Sequence, residues 1–255
     1  MNNACSAGTI LLMALTERKL KPSKEEDKKP LYKMICFDMD GVLVDVSEYQ
    51  ESGNKVGVST WHVVFDSLGI LEEHRRLKER FKAGEFHSYM EWTDEACKIL
   101  KAYGLTEEKL SEIIHRQPLM RGAKEAIAEL RKRGYKTAVI TGSFSVLVER
   151  VQRELKVDYA VAHCNLEFDE GGRLKGWKLL PCDYDGKVDA FLQMAKKAGV
   201  APSECVYIGD EVNDIPIFRK VGLSIAFNCS KQEVMDAADT VVEGNDLQLI
   251  LSSIS

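Results

Sequence analysis

Short apolar runs alternate along most of the chain with segments whose apolar positions recur at i, i+3, i+4 and i+7. Residues 32–37, 135–140, 158–163 and 205–208 read as strands. Ala123, Ala126, Ile127 and Leu130 mark one helix, stopped by Gly134, and Leu147, Val148, Val151 and Leu155 mark the next. A further helix is predicted over 186–198, ending at Gly199, and shorter strand and helix pieces at 223–227, 240–242 and 247–254 complete the pattern. Residues 166–180 carry Glu170-Gly171-Gly172 at their middle, which predicts a hairpin-like excursion. Repeated strand-helix alternation predicts an α/β fold, a doubly wound parallel sheet covered by helices on both faces.

Two stretches break this rhythm. Residues 45–120 are rich in helix formers and charge, notably 72–81, 89–103 and 107–116, and hold no convincing strand, so they predict a small helical cap inserted after the first strand. The catalytic core is then expected over 31–44 and 121–255. Trp61, Phe65, Phe86, Tyr89 and Trp92 are expected to form the core of that cap, with a pocket lining as the other reading. His62 and His87 are each without a third ligand at metal spacing. Between Lys21 and Pro30 seven of ten residues are charged, with Pro22 and Pro30 at the flanks, so residues 1–30 are expected to be a disordered tail or linker.

Composition narrows the class of protein. With 255 residues, 45% apolar and 29% charged, the chain can bury a substantial core. A net charge of −5 disfavours nucleic acid and anionic membrane as partners, since either calls for a basic face. The longest early apolar stretch, residues 10–15, is too short to span a bilayer. Seven scattered cysteines with no C-x-x-C spacing argue against a disulfide framework or structural zinc, and suit a cytoplasmic protein.

The candidate chemistry sits where strands end. Asp38-Met39-Asp40-Gly41 follows the first strand, and carboxylates there point into the ligand crevice of an open α/β sheet. An EF-hand fails on spacing, with Val42, Leu43 and Tyr49 where an oxygen ligand, glycine and glutamate are required. Gly209-Asp210-Glu211-Val212-Asn213-Asp214 follows another strand, so Asp38, Asp40, Asp210 and Asp214 are expected to converge. Two carboxylates about 4 Å apart repel by roughly 4 kcal/mol at an effective dielectric near 20, so a cation must sit among them. Mg²⁺ is the expected one, a hard ion that keeps waters and accepts a substrate phosphate. Thr141-Gly142, after the 135–140 strand, offers a hydroxyl and backbone N–H groups where a helix begins, and Lys187 opens a helix from which its ammonium reaches the same phosphate. Gly186-Lys187-Val188 is not a Walker A ending, and no G-x-G-x-x-G is present.

Asp38-x-Asp40, Thr141, Lys187 and Gly209-Asp210-x-x-Asn213-Asp214, in this order and at these places, resemble the four motifs of the haloacid dehalogenase superfamily. The resemblance covers about residues 32–254. It implies an Mg²⁺-dependent phosphomonoester hydrolase working through an aspartyl phosphate. In it Asp38 is the nucleophile and Asp40 the acid and base; Asp38, the Asp40 carbonyl and Asp210 hold the metal. Thr141, Gly142 and Lys187 bind the phosphoryl group, with Asn213 and Asp214 in support. A phosphotransferase or mutase shares that intermediate, and a silent binding protein would have lost some of these residues. The cap, the excursion and Ala226-Phe227-Asn228 look most like the phosphoserine phosphatase branch, whose substrate is a small phosphorylated metabolite. Two departures stand out: Ser47 and Glu48 occupy the region where that branch holds its substrate amine, and no Lys or Arg lies between Lys82 and Lys98, where it carries an arginine.

Overall fold

The computed structural model describes residues 31–47 and 58–254; the expected tail and Glu48 lie outside them. Among the described residues seven strands form one sheet: β1 (Met34–Phe37), β2 (Lys136–Phe144), β3 (Tyr159–Phe168), β4 (Leu174–Leu179), β5 (Cys205–Gly209), β6 (Leu223–Phe227) and β7 (Thr240–Val242). Their order is β4-β3-β2-β1-β5-β6-β7, and all pairs are parallel except β3 with β4. The predicted excursion is this antiparallel hairpin, turning through Asp169–Gly172 with Asp169 Oδ1 accepting from the Gly171 and Arg173 N–H groups.

Helices cover both faces, because each central strand is apolar on both. Ile35 and Phe37 of β1 and Val206 and Ile208 of β5 pack in one layer, with α5 (Ala123–Lys132) and α6 (Ser145–Leu155). Met34, Cys36, Cys205 and Tyr207 pack in the other, with α7 (Lys187–Ala198), α8 (Ile215–Phe218) and α9 (Gln232–Ala237). The alternation is the pleat of a strand buried on both sides.

Between β1 and α5 the described residues form four helices: α1 (Thr60–Ser67), α2 (Leu71–Lys82), α3 (Tyr89–Ala102) and α4 (Glu107–Arg116). Local chemistry sets their starts. Ser88 Oγ accepts from Glu91 N–H and the Glu91 carboxylate accepts from His87 N–H at 2.8 Å, while Thr106 Oγ1 accepts from Lys109 N–H. Trp61, Phe65, Leu77, Leu100 and Ile113 join the same apolar layer as Ile35 and Phe37. The aromatic residues of these helices therefore do not close a core of their own; they extend the core beneath the sheet.

Two strands run well past their expected ends, β3 to Phe168 as the first arm of the hairpin and β2 to Phe144. β2 does not stop at Ile140 but continues to Phe144, its register against β3 shifting between Thr141 and Phe144, and α6 starts only at Ser145. Pairing with the long β3 overrides the glycine at 142. Thr141 thus lies inside a strand rather than at a helix start.

Candidate active site

After β1 the chain moves through β2 to β4 on one side, and α7 returns it to β5 on the other side of β1. The crevice at the carboxyl ends of β1 and β5 is thus the point where the connections diverge, and ligands of open α/β sheets bind there. Asp38 leaves β1 with its N–H bonded to the Ile208 carbonyl at 2.9 Å, and Asp210 leaves β5 beside it.

Lys187, fully buried, reaches into this crevice from the start of α7. Its Nζ donates to Asp38 Oδ1 at 2.8 Å and to Asp214 Oδ1 at 2.6 Å, and lies 3.9 Å from Asp183 Oδ1. Burial pushes the ammonium down, but Asp214 and Asp38 outweigh it and hold the group well above the ordinary lysine value. The Asp214 carboxylate is saturated: Oδ1 also accepts from Tyr207 OH at 2.9 Å, and Oδ2 from the N–H groups of Asp210 and Glu211. Asn213 donates to Asp183 Oδ1 at 2.6 Å, so it supports the crevice through that residue.

Two glycines permit the close approach. A Cβ on Gly41, whose φ is +84°, would meet Asp210 Oδ2 at 2.3 Å, and one on Gly209 would meet Asp214 Oδ2 at 2.3 Å. Asp40 faces the helical segment instead. Thr60 Oγ1 lies 2.6 Å from Asp40 Oδ1, and Thr60 N–H donates to Oδ2 at 3.1 Å. Burial raises the Asp40 carboxyl above its usual range, and the two Thr60 bonds oppose that. Asp38 and Asp210 are raised further, first by burial, with the Asp214 charge adding to both.

The donor set fits a hard cation. Oxygens of Asp38, Asp210 and Asp214 lie within 4.8 Å of one another, and Asp210 Oδ1 is buried without a hydrogen-bond partner. Since both oxygens of Asp214 are engaged, Asp38 and Asp210 are the better placed ligands. The Thr141 hydroxyl accepts from Ser143 N–H, and the Gly142 carbonyl accepts from the Trp61 indole at 3.0 Å.

Above the carboxylates lies a pocket of about 470 Å³. Trp61, Tyr89 and Trp92 line it, the last two stacked 5.2 Å apart, so these aromatic rings serve both core and pocket. Three lysines, Lys78, Lys82 and Lys231, line it too. Sequence reasoning passed over Thr60, Asp183, Tyr207 and these lysines. Asp183 alone left a signal, standing four residues before Lys187; the others come from distant segments.

A model of the haloacid dehalogenase-like hydrolases matches residues 32–222. The chain belongs to this family. A phosphoserine phosphatase of Archaeoglobus fulgidus is 34% identical over 84% of the chain, which spans 58% of that relative's length. One from Methanocaldococcus jannaschii is 31% identical over 87% of the chain and 97% of the relative. A solved phospho-aspartyl intermediate analogue of phosphoserine phosphatase is 30% identical, with a TM-score of 0.72, covering 88% of this chain and 99% of that one. Fold, family and the class of phosphomonoester hydrolase thus agree with expectation. No described helix is long and apolar enough to cross a membrane.

Proposed function

We propose that this hydrolase is an Mg²⁺-dependent phosphatase of a small phosphorylated metabolite, phosphoserine first among them, working through a phosphoaspartyl intermediate in the cytoplasm. The observation that carries the reading is the Asp38 carboxylate at the switch point, hydrogen-bonded to buried Lys187 and opening on the pocket that Asp40 also lines.

In this reading Asp38 attacks phosphorus as the bond to the leaving oxygen breaks, and Asp40 gives that oxygen its proton. Water then attacks the phosphoaspartate, returning its proton to Asp40 and freeing Asp38 and inorganic phosphate. Lys187, Thr141 and Gly142 neutralise and orient the phosphoryl oxygens, the main source of rate in such transfers. Asp38, Asp210 and the Asp40 carbonyl hold Mg²⁺, which when bound supplies further charge neutralisation; Asn213 and Asp214 keep the shell in place. Residues 45–120 act as a cap over a core made of 31–44 and 121–255, shielding the reaction from water. The names of the relatives support phosphoserine, as do Lys78 and Lys82 in the pocket lining, which suit a second anionic group; Lys231 there is paired with Glu211.

The test is phosphate release from a panel of phosphorylated metabolites with and without Mg²⁺, beside Asp38→Asn, with phosphorylated acceptors monitored as well. Activity that survives Asp38→Asn would sink the mechanism. Transfer to an acceptor in place of free phosphate would make the protein a phosphotransferase.

A further inference from the structure

The two ends of the helical segment meet over Asp40. Thr60, the first residue of α1, is fully buried and reaches both oxygens of the Asp40 carboxyl, one with its backbone N–H at 3.1 Å and the other with its hydroxyl at 2.6 Å. The same hydroxyl lies 2.9 Å from the side-chain oxygen of Gln117, which closes α4 and is also fully buried. Gln117 is itself tied to the core: its backbone carbonyl accepts from the Arg150 guanidinium of α6 at 2.7 Å. A chain of contacts thus runs from Asp40 through Thr60, where the chain enters the helices, to Gln117, where it leaves them, and on to α6.

Each link suits an orienting device. A carboxyl's χ2 is broad, so a free Asp40 would sample many directions. Bonds to both oxygens, from a helix's first N–H and a β-branched side chain of restricted χ1, hold it in one. A hydroxyl both donates and accepts, so Thr60 keeps its bond to Asp40 whether or not the carboxyl holds its proton. Gln117 anchors that hydroxyl in either state: its side-chain oxygen accepts from Thr60 when the protonated Asp40 donates to it, and its amide nitrogen, buried without another partner, turns to donate to Thr60 when the hydroxyl's one hydrogen goes to the Asp40 carboxylate.

We propose that Thr60 and Gln117 are positioning residues for Asp40, aiming its carboxyl at the leaving oxygen so that proton delivery requires the α1–α4 segment to be seated. The inference rests on Asp40 being the acid of the reaction. A merely structural bond would affect all substrates alike. A positioning bond matters most where the leaving group needs a proton.

The experiment compares kcat/KM for phosphoserine, which expels an alkoxide, with p-nitrophenyl phosphate, whose phenolate leaves without protonation. Thr60→Val is expected to lower the phosphoserine value by about 10- to 100-fold, mainly through kcat, and the p-nitrophenyl value by no more than about 3-fold. Thr60→Ser should restore the contrast toward wild type. Gln117→Leu should lower the phosphoserine value in the same selective way by a smaller factor, which keeps the inference testable if Thr60→Val does not fold. Asp40→Asn must show the largest selective loss. Equal losses on both substrates in Thr60→Val and Gln117→Leu, or no loss in either while Asp40→Asn keeps its selectivity, would overturn the positioning role alone. An Asp40→Asn variant without leaving-group selectivity would overturn the acid assignment, and this inference with it.

Discussion

Replacing Lys187 by methionine removes the ammonium that Asp38 and Asp214 share while keeping most of the buried volume. At 2.8 and 2.6 Å, the two attractions are each about 6 kcal/mol at an effective dielectric near 20. Most of that is offset because the variant no longer desolvates a charge in a fully buried position. What remains is the repulsion among carboxylates left without their cation, and breaking a buried pair in this way costs about 3–5 kcal/mol. Against a usual stability of roughly 5–15 kcal/mol, the loss would be plain in urea unfolding at pH 7.5 with EDTA present. Its pH dependence identifies the cause. Without the lysine, the Asp38 carboxyl rises further above its unfolded value, so the variant gains stability relative to wild type as the pH falls and protons bind. Asp214→Asn in the Lys187→Met background should recover part of the deficit, although alone it is destabilising. A Lys187→Met protein within about 1 kcal/mol of wild type, or one whose deficit ignores both pH and Asp214→Asn, would refute the counter-charge argument.

Other outcomes follow from the same geometry. Gly41→Ala places a Cβ 2.3 Å from Asp210 Oδ2 at a φ of +84°, so it should displace that carboxylate and weaken Mg²⁺ binding at least tenfold by titration, with strain of about 1–2 kcal/mol. Mg²⁺ at 100 times its Kd should raise wild-type stability by about 2.7 kcal/mol, and Asp210→Asn should abolish most of that gain in a thermal melt. Burial holds His74 down to about 3 and His163 to about 4. Both are neutral in the fold and take up protons on unfolding below about pH 6.5, so stability is full above that pH and falls on acidification. For His74 the loss approaches 3 kcal/mol near pH 4 by linkage. His74→Phe, among Phe65 and Trp92, should flatten this fall, and an unchanged acid limb would reject it.

The strands that bear the crevice were legible in the sequence because a doubly covered strand must be apolar throughout, and the residue that ends it must be polar where it meets solvent or ligand. Asp38 and Asp210 could be placed from that rule alone, as could Lys187 at a helix start. The hairpin and the boundaries of α3 and α4 were equally local, set by turn glycines and by Ser88 and Thr106. Tertiary structure decided the rest. The extent of β2 past Gly142 depends on pairing with β3, which no local propensity encodes. The merging of the α1–α4 aromatics with the sheet's core depends on which face the helices bury. The partners that tune the carboxylates, Tyr207 on Asp214 and Thr60 on Asp40, come from strand or helix positions whose local pattern is that of ordinary buried residues. A side chain's type and period reveal that it will be inside; only packing reveals which charge it will find there.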